Sequence, residues 1–186
     1  MKKHLLAFVD IETTGLDPTL HEVFEIGIVF AEQHATLDGK VTLVLTREES
    51  LLLRPEHIEL ADPKALEISK YHARNWENSL SQKEGLEAAA SLLDGTIFVA
   101  QNVTFDWSFL FCNGKKYAVN FEQSLYYQKL DLASMVFGKY YADPKFFKFT
   151  LSELTASFQI LNQHPHTALS DARAAFEIAK KVLEAP

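Results

Sequence analysis

Only one cysteine, Cys112, occurs in the 186 residues, which excludes an internal disulfide framework and a thiolate zinc cluster. It sits in the apolar run Phe109-Leu110-Phe111-Cys112, where a buried, inert thiol is expected. Long hydrophobic stretches are missing as well. The N-terminal apolar run from Leu5 ends at Asp10, well short of the roughly seven to fifteen residues of a signal-peptide core, and no run approaches membrane length. A cytoplasmic protein with no membrane partner is therefore expected. There is no internal repeat, low-complexity tract or linker, so residues 1–186 read as one domain, large enough for a core without staples. Positive charge is scarce: 18 Lys and Arg stand against 25 Asp and Glu, a formal charge of −7. That balance opposes a grip on long duplex nucleic acid through its backbone, but it is compatible with an enzyme handling a few nucleotides at a strand end.

The charge is unevenly placed. Between Lys115 and Lys148 six lysines face Glu122, Asp131 and Asp143, and the same stretch carries five of the six tyrosines with Phe121, Phe137, Phe146 and Phe147. Lysines interleaved with aromatic rings suit a single strand, whose phosphates need charge and whose bases need stacking faces. An aromatic core with solvated lysines explains the composition equally well.

Hydrophobic periodicity gives the outline. Leu5 to Ile11 is apolar on both alternating faces, as in a strand covered on both sides. Val23 to Ala31 follows as a second strand, and Val41 to Leu45 with Leu51 to Leu53 as a third, bent or interrupted one. Asp62-Pro63 starts a helix, with a cap and a first-turn proline. Ser81 to Glu84 is a capping box for a helix that Gly95 ends. Thr96 to Ala100 is a short strand, Phe105 to Phe111 a helix stopped by Asn113-Gly114, and Thr150 to Glu153 a second capping box. From Thr167 a helix runs to the C-terminus with Ala168, Ala172, Ala175, Phe176, Ala179, Val182 and Leu183 on one face. Three antiparallel-leaning strands followed by alternating helices and strands predict an α/β domain with a mixed sheet.

Three patches within this outline carry chemistry: Asp10-Ile11-Glu12-Thr13-Thr14-Gly15, Asn102-Val103-Thr104-Phe105-Asp106 and His166-Thr167-Ala168-Leu169-Ser170-Asp171. Asp10 and Glu12, two apart on a strand, project from the same face. Alone they read equally well as the polar end of a strand. Gly15 permits a tight turn whose N–H groups can face a sugar or phosphate. Asp106 lies in a helix first turn, where the dipole welcomes a negative charge whether or not it has a function. Asn102 is a turn residue or a hydrogen-bond donor to substrate. Asp171 interrupts an alanine-rich helix face that lets the helix approach the sheet, a costly place for a carboxylate unless it is paired or metal-bound. His166, five residues earlier, leans over the same end, and His164 competes for any base role. Four carboxylates and a histidine make up a two-metal phosphodiester-cleaving site: hard oxygen ligands for Mg²⁺ or Mn²⁺, and a group that deprotonates the nucleophile.

In this order and spacing the patches resemble the DEDDh 3′–5′ exonucleases, a family that includes polymerase proofreading subunits, ribonuclease T and oligoribonuclease. The family's D-x-E-[TS]-T-G pattern is matched by Asp10 through Gly15. Its N-x-x-F-D-x-x-F-L pattern is matched by Asn102, Phe105, Asp106, Phe109 and Leu110, and H-x-A-x-x-D-A by His166, Ala168, Asp171 and Ala172. The five-residue step from His166 to Asp171 fits the histidine branch, whereas the tyrosine branch uses four.

The resemblance implies a ribonuclease H-like fold with a five-stranded mixed sheet, strand two antiparallel to the rest. It implies two Mg²⁺ or Mn²⁺ ions, the first on Asp10, Glu12 and Asp171, with Asp10 bridging to the second and Asp106 holding ions directly or through water. It implies that His166 takes the proton of the attacking water, that Thr13, Thr14 and Gly15 recognise the terminal nucleotide, and that Leu16 wedges against its base. Asn102 and Phe105 come with the second pattern as substrate contacts. One position departs: many members have histidine before the motif-two asparagine, where this chain has Gln101, which cannot titrate.

The implied activity is release of nucleoside 5′-monophosphates from single-stranded 3′ ends of DNA. An RNA-directed version, like ribonuclease T or oligoribonuclease, stays open, because the treatment of the 2′-hydroxyl is not legible in the sequence. A non-catalytic nucleic-acid-binding module is the third alternative. Implied partners are a single-stranded 3′ end and a DNA polymerase or repair complex, with the chain a monomer or a homodimer.

Overall fold

A computed structural model describes residues 4–35 and 40–184. In chain order the elements are strands β1 (Leu5–Thr13), β2 (Val23–Ala35) and β3 (Val41–Leu52), then helices α1 (Pro63–Ile68) and α2 (Gln82–Leu92). Strand β4 (Ile97–Ala100), helices α3 (Val103–Lys116) and α4 (Phe121–Ser124) and strand β5 (Lys129–Asp131) come next, then helices α5 (Leu132–Tyr140), α6 (Leu151–Phe158) and α7 (Ala168–Glu184). The five strands form one sheet in the order β3-β2-β1-β4-β5. Strand β2 is antiparallel to both β1 and β3, while β1, β4 and β5 are parallel. This is the mixed sheet expected, with strand two reversed.

The apolar run of β1 is explained by its place at the centre. Ala7, Val9 and Ile11 face a layer containing Leu86, Ala89, Leu93, Phe109 and Leu110 from α2 and α3. Leu6 and Phe8 face the opposite layer, with Leu132 and Val136 of α5, Leu154 of α6 and Ala172, Ala175, Phe176 and Ala179 of α7. Strand alternation therefore sends Asp10 and Glu12, at the end of β1, to the α7 side. Gly27, opposite Asp10 in the β1–β2 register, makes room for that helix. A Cβ there would sit 2.2 Å from the Ala168 carbonyl carbon, too close for any side chain.

The caps behave largely as the sequence suggests. Asp62 accepts from Lys64 N at 2.8 Å ahead of Pro63, and Ser81 with Glu84 forms a complete capping box. At Thr150 only half forms: its hydroxyl accepts from Glu153 N, while the Glu153 carboxylate pairs with Lys148 Nζ at 3.2 Å.

Three expectations need correction. Strand β3 is continuous rather than interrupted, because it pairs with β2 along its length and a register shift between Phe30 and Ala31 absorbs the irregularity. Helix α3 does not stop at Asn113-Gly114. Asn113 is fully buried, and its Nδ2 donates to Phe109 O and His21 O, so the NH₂ of the residue that signalled a turn is bonded inside the helix, while its Oδ1 is buried without a hydrogen bond. Gly114 is there for the Val119 carbonyl and the Phe121 ring, whose O and Cδ2 would lie 2.8 and 2.9 Å from an added Cβ. Finally, Cys112 is half-buried rather than buried, since α3 turns Phe109, Leu110 and Asn113 to the core instead.

Candidate active site

All three patches meet at the C-terminal end of β1. A register shift between Glu12 and Thr13 turns the chain out of the sheet just after the paired carboxylates. Asp106, 5 % exposed, comes over from the first turn of α3, and its carboxylate takes the Ile11 N–H. Asp171, 8 % exposed, comes from the first turn of α7. His166 stands exposed just before α7 in a left-handed conformation, φ 65°, a state that histidine tolerates better than most residues but that still needs outside support. Ligand atoms of Glu12, His166 and Asp171 all lie within 4.8 Å of one another, a group able to hold a metal ion.

So many acids in one place perturb each other. Burial holds the Asp10 carboxyl well above the usual range, and the charges of Asp106, Asp171, Glu12 and Glu25 push the same way. Glu12 is pushed up to about 8, by burial first and then by Asp171 and Glu25. Burial also raises Asp106 to about 7. Asp171 is raised by burial too, against the pull of the Asn162 amide, which donates to its Oδ1 at 2.5 Å, and the His166 N–H, which donates to Oδ2 at 3.1 Å. Arg74 lowers Glu12, and His166 and Lys70 lower Asp171, but burial outweighs them and both carboxyls stay raised.

Two groups that the sequence did not single out organise the site. Glu25 lies directly across the sheet from Glu12, and its carboxylate receives the Ala168 N–H at the start of α7 and an ion pair from Arg74 at 2.7 Å. The same Arg74 nitrogen, Nη2, also donates towards the His166 carbonyl and Ser69 O, each at 2.9 Å. The pair ties β2, the 69–74 segment and the His166 loop together. A lone acid in the otherwise apolar run Val23 to Phe30 was a signal for Glu25. Nothing marked Arg74.

The other expected residues fall around this cluster. The Thr13 hydroxyl donates to Gly15 O and the Thr14 hydroxyl accepts from Glu22 N, so both are engaged inside the loop. Gly15 lies against the His21 ring, 2.3 Å from where a Cβ would be. Leu16 is 75 % exposed. Asn102 is exposed and makes no cap bond. Asp131 instead accepts the Val103 N–H and also caps α5 through Ser134 N. Phe105 packs on Phe109 with centroids 4.8 Å apart. A cavity of about 540 Å³ is lined by His166, Asp171 and Asn162, among others, whereas His164 lines a separate one with Glu48 and Arg173. That separation sets His164 apart from the carboxylates. Gln101 uses its amide to donate to the Phe149 carbonyl, a fastening role that needs no titration.

Comparison with known proteins gives the chain a family. The model of the exonuclease family RNase_T matches residues 7–179. The chain belongs to this exonuclease family. It is 29% identical over 188 residues to a PolC-type DNA polymerase III of Caldanaerobacter subterraneus, covering 94% of this chain but 11% of that protein. It is 26% identical over 185 residues to the 3′-5′ exonuclease DinG of Bacillus subtilis, covering 99% of this chain and 18% of DinG. This exonuclease domain therefore spans less than a fifth of the curated relatives it matches. Among solved structures, a zinc-bound complex of E. coli exonuclease I with single-stranded DNA superimposes with a TM-score of 0.77 at 19% identity, over 96% of this chain and 40% of that one. The same enzyme with a dT13 oligonucleotide gives 0.75 at 20%. The fold is the ribonuclease H-like exonuclease fold. Among the described residues no helix is long and apolar enough to cross a membrane.

Proposed function

We propose that residues 1–186 form one catalytic domain that hydrolyses phosphodiester bonds at the 3′ end of single-stranded DNA and releases nucleoside 5′-monophosphates with the help of two divalent cations, Mg²⁺ or Mn²⁺. One observation carries this reading: Asp10, Glu12, Asp106 and Asp171 converge, each carboxyl raised above its ordinary range by burial, and ligand atoms of Glu12 and Asp171 lie close to those of the exposed His166. The donor set fits hard cations, which favour carboxylate oxygens.

Asp10, Glu12 and Asp171 would hold one ion, and Asp10 with Asp106 the other. When bound, the ions supply positive charge to the developing transition state and make water easier to deprotonate. Everything else falls to the chain. The His166 imidazole accepts the proton of the attacking water at a ring nitrogen, and its loop is held in place by Arg74. Asn162 and the His166 N–H fix the Asp171 carboxylate. Leu16 offers an apolar edge to the terminal base above a floor of Thr13, Thr14 and Gly15, while Asn102 and Phe105 flank the substrate from α3. Kinship with segments of PolC-type polymerases and DinG supports a setting within a larger cytoplasmic replication or repair assembly.

Digestion of matched 5′-labelled DNA and RNA, single- and double-stranded, with Mn²⁺ or with chelator tests the proposal. Single-stranded DNA is expected to shorten stepwise from its 3′ end only when the cation is present. Faster trimming of RNA would reassign the polymer, and intact substrate of every kind would refute the activity.

A further inference from the structure

The cavity beside His166 does not end at the carboxylates. Thr150 and Leu151 line it, and they also line a second cavity of about 570 Å³ together with Gln101, Asn102, Asp131, Ala133 and Phe149. The two form one trough leading from Asp171 towards α5. Beyond its far end the helix presents a stripe: Ala133, Phe137 and Tyr141 are spaced by four and lie on one face. Phe149, in the wall of the trough, meets Phe137 edge-on with centroids 5.8 Å apart, and Phe137 meets Tyr141 at 6.4 Å. Phe149 is half-buried at the edge of the core, while Phe137 is 57 % and Tyr141 73 % exposed. Adjacent rings left this open to water mark a contact surface rather than a core.

The wall shared with the catalytic cavity, together with the lysines near the stripe, points to its occupant. From Leu132 to Phe149 the chain carries Lys139, Lys145 and Lys148 against Asp143, in a protein whose formal charge is −7, although Lys148 pairs with Glu153, Lys139 donates to the Val182 carbonyl and Asp131 stands in the trough wall. A run of rings flanked by lysines and continuous with the catalytic trough matches a single nucleic-acid strand, which stacks its bases on aromatic faces and sets its phosphates against cations. From Ala133 to Tyr141, the C-cap of α5 and still helical in its backbone, the chain advances about 12 Å, enough for about three nucleotides at about 3.4 Å each. The bond from the Gln101 amide to the Phe149 carbonyl anchors the start of this stripe to the end of β4, so that it is fixed relative to the catalytic end of the sheet.

We propose that Phe149, Phe137 and Tyr141 form a stacking track for the bases upstream of the 3′-terminal nucleotide, so that grip on the strand grows with its length. The assignment rests on the nuclease reading above, but its test does not require cleavage. Fluorescence anisotropy in chelator would compare fluorescein-labelled dT3 and dT12 binding to the wild-type chain and to the Phe137→Ala/Tyr141→Ala double variant. Both positions are exposed, and a thermal melt checks that the variant is folded. The wild type is expected to hold dT12 at least tenfold more tightly than dT3, and the double variant to lose about tenfold or more on dT12 with dT3 unchanged. Equal affinity of the wild type for the two lengths would overturn the track. So would a double variant that binds dT12 like the wild type; a change confined to self-association would then assign the rings to a protein contact. If the length dependence holds but no nucleic acid is digested in the cleavage assay, the track stands and the catalytic reading falls.

Discussion

The two faces of the sheet are built on different terms. Under α2 and α3 the packing is large and dry, with Leu86, Leu93, Phe98, Phe109 and Phe121 essentially excluded from solvent. Under α7 it is small: Ala168, Ala172, Ala175 and Ala179 bring the helix down onto the sheet, Gly27 admits its first turn, and the acids of β1 and α7 are held in the space that results. The first face contributes stability. The second accepts a cluster of like charges, at an electrostatic cost, in return for chemistry. Bulky side chains can anchor a fold, but only small ones let a helix end carrying Asp171 approach a strand end carrying Asp10 and Glu12.

Substitutions that exchange the terms of the two faces sharpen this contrast, and their expected effects on catalysis run from complete loss to none. Asp171→Asn should lower cation-dependent cleavage by about 10³-fold or more while circular dichroism shows an intact fold. Gly27→Val has no room beneath Ala168. It should push α7 outward, cost roughly 1–3 kcal/mol in a urea melt and depress turnover about 100-fold through misplacement of Asp171. Arg74→Ala releases the His166 carbonyl and leaves Glu25 unpaired. We expect kcat to fall about 10- to 100-fold with KM little changed, as steady-state kinetics would show. On the opposite face Leu86→Ala should cost about 2–5 kcal/mol of stability, yet the protein that remains folded should turn over at the wild-type rate.

Much of this was legible in the sequence because the relevant signals are local. Strand alternation put Asp10 and Glu12 on one face, and the alanine spacing of α7 announced a close approach to the sheet. The mixed sheet followed from the order of apolar runs. What was not legible depended on partners far away in the chain. Asn113-Gly114 looked like a helix stop because an asparagine amide and a glycine ordinarily mark turns, and only the buried acceptor at His21 O and the Phe121 ring explain them inside α3. Arg74 carries no local pattern at all, since its meaning comes from Glu25 and His166. The lysine- and aromatic-rich stretch divided in two, with Phe121 and Phe146 in the core and Tyr127, Tyr141 and Phe147 exposed. Composition could not foresee which ring went where.

The central claim is that the carboxylate cluster is folded in against its own repulsion and becomes comfortable only with a cation. Carboxyls raised from 4.5 to about 8 at Glu12 and from 3.8 to about 7 at Asp106 contribute stability that is full below the unfolded values and lost as pH rises through the folded ones. Thermal melts of the wild type and Asp10→Asn between pH 5 and 9, in chelator and in Mn²⁺, read this directly. In chelator the wild-type Tm should fall as pH rises, and Asp10→Asn should melt higher than the wild type at pH 8. Mn²⁺ should restore the wild type at high pH and do little for the variant. A wild-type Tm that is flat with pH and indifferent to Mn²⁺ would contradict the account.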